Sequence, residues 1–342
     1  MKEFVKTLVK TAPLIHRVPT LGGILKRVKY CVRGLAFAAQ NKEWFALLKT
    51  PKLAVIVERH PYLFHKLQRP YLNRTLDTSQ RLEALKQHYH FVETQFSNFE
   101  IKAVYSVQGL LLAELLVAEL GKLELRLMSS RREKEGDLSI SLQSVKTGSE
   151  LFTLSFSIAR YDQGGQEIFV GGLQGNKAAT KQNIVAITRS LYGMRPKALL
   201  LFALQELSTR WGITRLRAVS DSKHVYQHFQ KRRVLSASYD DFWMESGGEL
   251  AADKMFDLPA TFSARPIWTI KADKRQMYKR RYAMLAGIAN QIGTEVPTRK
   301  GFSPARNQPM QSSKLTEVPV PKTIVQQRLA VRPDNFEKQT SE

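Results

Sequence analysis

Ser220, His224 and Tyr226 lie close together in "RLRAVSDSKHVYQ", and Asp240 follows in "YDDFWMESGG". A hydroxyl, an imidazole, a phenol and a carboxylate near the end of one short strand are side chains suited to general acid–base or nucleophilic chemistry. His224 and His228 are four residues apart, a spacing that puts both on one helix face and suits a metal ion. There is no third ligand and no glutamate between them, so no metal site is expected. Asp240 and Asp241, read on an extended strand, point to opposite faces, so they form no carboxylate dyad. One of them then faces a cleft.

A second stretch, "IFVGGLQGNKAATKQN" (168–183), passes from strand-like residues through glycines into a lysine-bearing helical segment. Backbone amides at such a junction can bind an anion. The pattern matches neither G-x-x-x-x-G-K-[ST] nor G-x-G-x-x-G, and no lysine of this stretch is followed by Ser or Thr, which argues against an NTPase. Two readings remain: a loop that holds phosphates, or glycines that serve only close packing of strand and helix.

The elements that must position these residues fall into three regions. Residues 1–100 read as helical, cut into short helices by Pro13, Pro19, Pro51, Pro61 and Pro70. Within them "TSQRLEALKQHYHFVETQF" is the clearest helix, with Ser79 as the expected cap. Residues 101–292 form a mixed α/β core. Its first part alternates polar and apolar residues in "LELRLMS", "DLSISLQSV" and "ELFTLSFSIAR", the pattern of half-buried strands, and "YDQGGQ" turns the chain back into "EIFVGG" as a hairpin. Four or five strands are expected over 101–175. Helices Ala179–Leu191 and Lys197–Arg210, a strand "ITRLRAVS", a helix "DSKHVYQHFQKRR" starting at Asp221 or Ser222, a strand in "SYDDFWMESGG" and a basic amphipathic helix over 273–292 complete the core. Residues 293–342 are rich in Pro, Ser, Gln and Lys and read as a disordered tail. The fold class is therefore α/β (α+β): a helical N-terminal region, a central mixed and mostly antiparallel sheet with packed helices, and a tail.

The formal net charge of +23 sits at the ends. Residues 1–70 hold 14 Lys/Arg against 3 Asp/Glu, whereas residues 71–264 hold 24 against 21. Such ends favour an anionic membrane surface or an anionic substrate; nucleic acid ranks lower, because aromatic residues are not interleaved with the basic ones as a stacking platform needs. Lys2, Lys6, Lys10, Lys26, Arg27, Lys29 and Arg33 accompany Phe4, Val5, Leu8, Leu25 and Val28 on helical spacing, which suits a helix lying on a bilayer. No segment is apolar and long enough to span one, and the first residues lack a signal peptide's apolar stretch. Cys31 is the only cysteine, so no intramolecular disulfide is possible and it is expected to be a buried spectator. A cytoplasmic protein is expected, with peripheral contact to the inner face of the cell membrane.

The order "EIFVGG", helical pair, "RLRAVS", "SKHVYQHF" resembles the core of the Gcn5-related N-acetyltransferases. That resemblance implies acyl-coenzyme A as co-substrate. Its pyrophosphate would rest on Gly172, Gln174 and Gly175, with Arg195 and Lys197 as counter-charges. The sequence departs from that family's Q/R-x-x-G-x-G/A loop: Gln174 is followed three residues later by Lys177, and an extra helix precedes Lys197. "GGLQG", "LYGMRPKALLLFAL", "RLRAVSDSKHVYQ", "YDDFWMESGG" and "RQMYKRRYAML", in this order over roughly residues 30–292, resemble the VirK/YbjX family of bacterial proteins. This implies a setting in virulence, resistance to cationic antimicrobial peptides and stress response, and it implies no particular reaction.

Overall fold

The structure, a computed structural model, describes residues 1–18, 20–160, 165–226, 238–296 and 298. They all belong to one unit, Met1–Pro304. Residues 161–164 of the turn read in "YDQGGQ", the part of the helix read over "DSKHVYQHFQKRR" that follows Tyr226 (including His228), and the tail read over 293–342, apart from 293–296 and 298, lie outside the described residues; 293–295 continue the last helix.

Seven helices come first: α1 (Lys2–Ile15), α2 (Leu21–Ala36), α3 (Ala38–Leu47), α4 (Pro51–Arg59), α5 (Leu63–Lys66), α6 (Thr78–Gln95) and α7 (Asn98–Val104). The cap of α6 is Asp77 and not Ser79. The Asp77 carboxylate accepts from the Gln80 amide, and the Gln80 side chain returns the bond to the Asp77 amide, which satisfies two donors that a single hydroxyl could not.

Five strands follow as a meander: β1 (Leu110–Val117), β2 (Gly121–Ser129), β3 (Leu138–Ser144), β4 (Glu150–Arg160) and β5 (Gln166–Gly175). Two helices, α8 (Lys181–Ser190) and α9 (Pro196–Trp211), carry the chain across to β6 (Arg215–Val219). Pro196 at the first helical position and Gly212 in the left-handed conformation (φ 67°) bound α9. Then come α10 (Tyr239–Glu245), β7 (Glu249–Leu250), β8 (Met255–Leu258) and α11 (Ala272–Glu295). The segment "YDDFWME" is thus a helix and not a strand. The Ser238 hydroxyl accepts from the Asp241 amide, and two aspartates in the first turn favour the helix start.

The eight strands make one sheet in the order β1-β2-β3-β4-β5-β6-β8-β7, antiparallel throughout except for β5 beside β6. "EIFVGG" and "RLRAVS" are therefore neighbours, as expected, and β4–β5 is the expected antiparallel pair. α6 lies against β4, and α9 packs on β3, β4 and β5. Trp211 joins the two layers, its ring 5.3 Å from Phe91 and 6.2 Å from Phe156. The outer strand β1 is covered by α11, whose Gln291 side chain accepts from the Glu114 amide at 2.9 Å, so this edge is not left open.

Candidate functional site

β5 and β6 run parallel from Glu167↔Arg215 to Val170↔Ala218 and then part, β5 continuing to Gly175 beside β4 alone. This leaves a gap in the pairing beyond Val170 and Ala218, toward the C-terminal ends of the two strands, where open α/β sheets commonly bind ligands. The register of β4–β5 also shifts by one between Ser155 and Phe156, leaving Gly171 as the extra residue of a bulge. "GGLQG" is therefore paired strand and not a loop before a helix.

The glycines there have a partner. Glu135, on the connection from β2 to β3, lies directly over them. An added Cβ on Gly171 would collide with the Glu135 carbonyl, and one on Gly172 would collide with its carboxylate. A glycine pair inside a strand marks such a close approach. The Glu135 carboxylate accepts two contacts from Gln174 Nε2, at 2.8 and 2.9 Å, and its Oε1 lies 3.6 Å from His224 Nε2. Both side chains are fully buried, at 0% and 1% exposure. His224 Nε2 makes no hydrogen bond of normal geometry among the described residues.

His224 is in extended conformation (φ −60°, ψ 141°) just after a 3-10 turn, Asp221–Lys223, so it is not on a helix face as the spacing to His228 implied. Its ring stacks on Tyr239 at 5.2 Å and tilts against Tyr226 at 5.5 Å. The Tyr239 hydroxyl accepts from the Leu173 amide at 3.3 Å, on the side of β5 that faces the gap. Half-buried Tyr226 closes the outside, with the Lys134 ammonium 5.1 Å from its ring centre.

Burial dominates the electrostatics. It pushes the Glu135 carboxyl up to about 7, against Arg132 and Gln174, which favour the anion. It pulls His224 down to about 4, although Asp221 and the Gly171 backbone oppose it. At neutral pH the two groups are a neutral imidazole beside a carboxyl poised to gain or lose a proton, and not a fixed ion pair. That is the state a general acid–base group requires. Tyr239 and Tyr226 are held above the ordinary phenol range, first by burial and next by Glu135.

A buried network holds the Glu135 connection in place. Asp137, two residues on, is fully buried; its carboxylate takes the Lys66 ammonium at 2.5 Å, the Tyr89 hydroxyl at 2.8 Å, the Ser157 hydroxyl at 3.2 Å and the Tyr71 hydroxyl. Burial raises its pKa, but Lys66 and His88 outweigh that and hold Asp137 below its usual range. A short strap then ties the two halves of the site. The Leu72 amide donates to the Lys134 carbonyl at 2.8 Å, and the Arg74 amide donates to the Lys223 carbonyl at 3.0 Å.

Of the residues singled out in the sequence, Gln174, His224 and Tyr226 gather around Glu135. Gly172 supplies room for that carboxylate. Gly175 sits at the end of β5, where a Cβ would press on Phe152 and Ala179. Ser220 is buried and shares a hydrogen bond with Ser222 at 3.0 Å. Asp240 is not turned into the gap: it accepts from the Asp221 amide at 2.7 Å and so fixes the 3-10 turn to α10. Arg195 is exposed and paired with Glu245. Lys197, half-buried as the second residue of α9, has its ammonium 5.8 Å from the Phe242 ring and is held below the usual lysine range by burial and by Arg195, with Asp221 opposing. Asp221 thus acts on both Lys197 and His224.

Glu135 and Tyr239 are the residues that sequence reasoning missed. Glu135 lies in "RREKEGD", which was not singled out; the usable signal was the Gly171–Gly172 pair within a strand, which demands something close above it. Among the described residues, no group of three or more His, Cys, Asp or Glu side chains could hold a metal ion, and no helix is long and apolar enough to cross a membrane.

The family described as "Protein of unknown function (DUF535)" matches residues 21–294. A protein of Escherichia coli, "Uncharacterized protein YbjX", is 34% identical over 275 residues, covering 78% of this chain and 82% of that protein. Two uncharacterized proteins of Haemophilus influenzae are also similar. One is 23% identical over 291 residues, covering 84% of this chain and 96% of its own length; the other is 29% identical over 129 residues, covering 37% and 43%.

Proposed function

The chain belongs to the DUF535 family, the VirK/YbjX proteins its motifs resemble, and within that family we propose that it is an acyltransferase-like enzyme acting on an anionic or lipid-linked substrate at the inner face of the cell membrane. The observation that carries this reading is the buried Glu135–His224 pair, set in the gap where parallel β5 and β6 part. The order of β5, helical pair and parallel β6 supports the resemblance to the Gcn5-related N-acetyltransferases.

The reaction uses these residues as follows. An amine or hydroxyl of the acceptor attacks the carbonyl carbon of an acyl thioester, and Glu135 takes the proton that the nucleophile loses. The new C–N or C–O bond forms, the C–S bond breaks, and the departing sulfur receives a proton from the Glu135–His224 pair. Tyr239 and the Leu173 amide line the wall of the gap beside the carbonyl. Gly172 and Gly175 do not suit a pyrophosphate: their segment is paired with β4, and a carboxylate already occupies the space over Gly172. Lys197 and Arg195, at the start of α9, are the fitting partners for the donor's phosphates. Envelope stress and resistance to cationic peptides would follow from acylating an envelope component.

Calorimetry of the full chain with acetyl- and long-chain acyl-coenzyme A tests the reading. Saturable heat is expected, weakened by Lys197→Gln. Acyl transfer to a model amine should fall in Glu135→Gln, a change that keeps the side chain's shape. No heat at millimolar donor with folded protein rules the reading out.

A further inference from the structure

Helix α2 is packed inside out. The residues it turns toward the protein are Gly23, Tyr30 and Gly34: the Tyr30 hydroxyl meets Thr11 at 2.8 Å, and an added Cβ on Gly34 would come within 2.6 Å of Leu8. The residues it turns outward are Leu21, Ile24, Leu25, Val28, Val32 and Leu35, which are 46% to 76% exposed. At helical spacing these six lie within an arc of about 100°. They form a stripe about 20 Å long. A monomeric protein seldom leaves a continuous aliphatic face of this kind in water. On α1, Val5 and Val9 are also exposed, with Met1 before them, beside Lys2, Lys6 and Lys10.

We propose that α1 and α2 are a docking surface for an anionic phospholipid bilayer, with the α2 stripe inserted among the acyl chains. The charges decide the occupant. Lys26, Lys29 and Arg33 are exposed along the flank of the stripe, and the first 37 residues carry eight Lys/Arg against Glu3 alone. Apolar stripe and basic flank together are what a helix lying in the head-group plane needs. A second copy would press two strongly basic faces together. A nucleic acid would leave six aliphatic side chains in water and would find no aromatic platform among them. The surface deepens the membrane placement given under the proposed function and is independent of the acyl-transfer chemistry, so that either can fail without the other.

The test is sedimentation of the full chain with vesicles of phosphatidylethanolamine and phosphatidylglycerol, against vesicles of phosphatidylcholine, at low and high salt. Pelleting with the anionic vesicles alone, lost at high salt, is expected. Each basic residue at the surface contributes about fivefold, so Lys26→Gln/Lys29→Gln/Arg33→Gln should weaken partitioning about a hundredfold. Leu25→Glu/Val28→Glu/Val32→Glu should abolish it. All six positions are exposed, so circular dichroism and the unfolding midpoint should stay as in the wild type. Glu135→Gln should pellet normally, which separates this surface from the chemistry. No pelleting by folded wild-type protein overturns the proposal, as does equal pelleting with both kinds of vesicle. So do a salt-steep shift of duplex DNA without vesicle binding, and a dimer that the glutamate variant dissociates.

Discussion

Replacing Asp137 by asparagine tests whether the buried network supports the site. Asp137 is 0% exposed and Lys66 3%, with 2.5 Å between Nζ and Oδ1. Asparagine preserves the volume and one acceptor oxygen, but its amide turns N–H groups toward donors. Tyr71 can still donate to Ser157 at 2.8 Å, so its loss is small. Tyr89 or Ser157 is left without its acceptor, at about 1–3 kcal/mol for an orphaned buried hydroxyl. The larger effect is on Lys66, whose charge stays buried without a counter-ion; breaking such a pair costs about 3–5 kcal/mol. That is a large part of the 5–15 kcal/mol that holds an ordinary domain folded. Urea unfolding at neutral pH should therefore show Asp137→Asn strongly destabilised. Lys66→Met together with Asp137→Asn should recover most of the loss, because no charge is then left buried. A single variant within about 1 kcal/mol of wild type refutes the reasoning, since the orphaned-ion cost alone exceeds that. A double variant no better than the single refutes it equally.

Other outcomes follow from the same geometry. Gly172→Ala should expel the Glu135 carboxylate from its place over β5, with acyl transfer, where measurable, falling as far as in Glu135→Gln and the fold retained by circular dichroism. The Glu135 contribution to stability should fall as pH rises from about 4.5 to about 7, because folded Glu135 keeps a proton over that window that the unfolded chain has lost. The full loss is about 3 kcal/mol at 1.36 kcal/mol per pKa unit, so Glu135→Gln should be more stable than wild type at pH 8 and should lack the slope in urea unfolding. His224 acts with the opposite sign over an overlapping window: it resists protonation when folded, so its contribution is lost as pH falls from about 6.5 toward 4. The two largely offset each other in the wild type, and each slope is read in the variant that lacks the other group, Glu135→Gln or His224→Asn. Asp221→Ala should cost about 1–2 kcal/mol, because its carboxylate accepts from Ser238 and from the Tyr239 amide at the start of α10.

The alternation in "ELFTLSFSIAR" predicted β4, and the turn after it predicted the pairing with β5, because both signals are local. That β6 neighbours β5 was also legible, from the order of elements that resembles the acetyltransferase core; that the pair is parallel was not read. What was not legible depends on residues distant in sequence. Gly171 and Gly172 look like a turn until Glu135 is placed over them. "YDDFWME" has strand-like aromatics, but the Ser238 cap and the aspartates after it prevail. The serines of β4 read as a solvent face; in the fold Ser155 and Ser157 are buried beneath the connection that carries Glu135 and Asp137. The site itself was half visible: Gln174, His224 and Tyr226 stood out by type, whereas their common partner was hidden in a run of charges.

The strap at Leu72 and Arg74 fixes an order of events in time. It bonds to Lys134 on one side and to Lys223 on the other, residues made long after it during synthesis. Contacts between such distant segments form late, once the entropy of closing the intervening chain has been met by the structure around them. The helices and the meander can therefore be in place while the gap between β5 and β6 still lacks its walls. In a refolding experiment helical circular dichroism should recover first. Stacking of Tyr239 between His224 and Trp243, followed by tryptophan fluorescence, should recover later. A chain released before Lys223 has emerged would hold most of its secondary structure and would lack His224, Tyr226 and Tyr239 of its site.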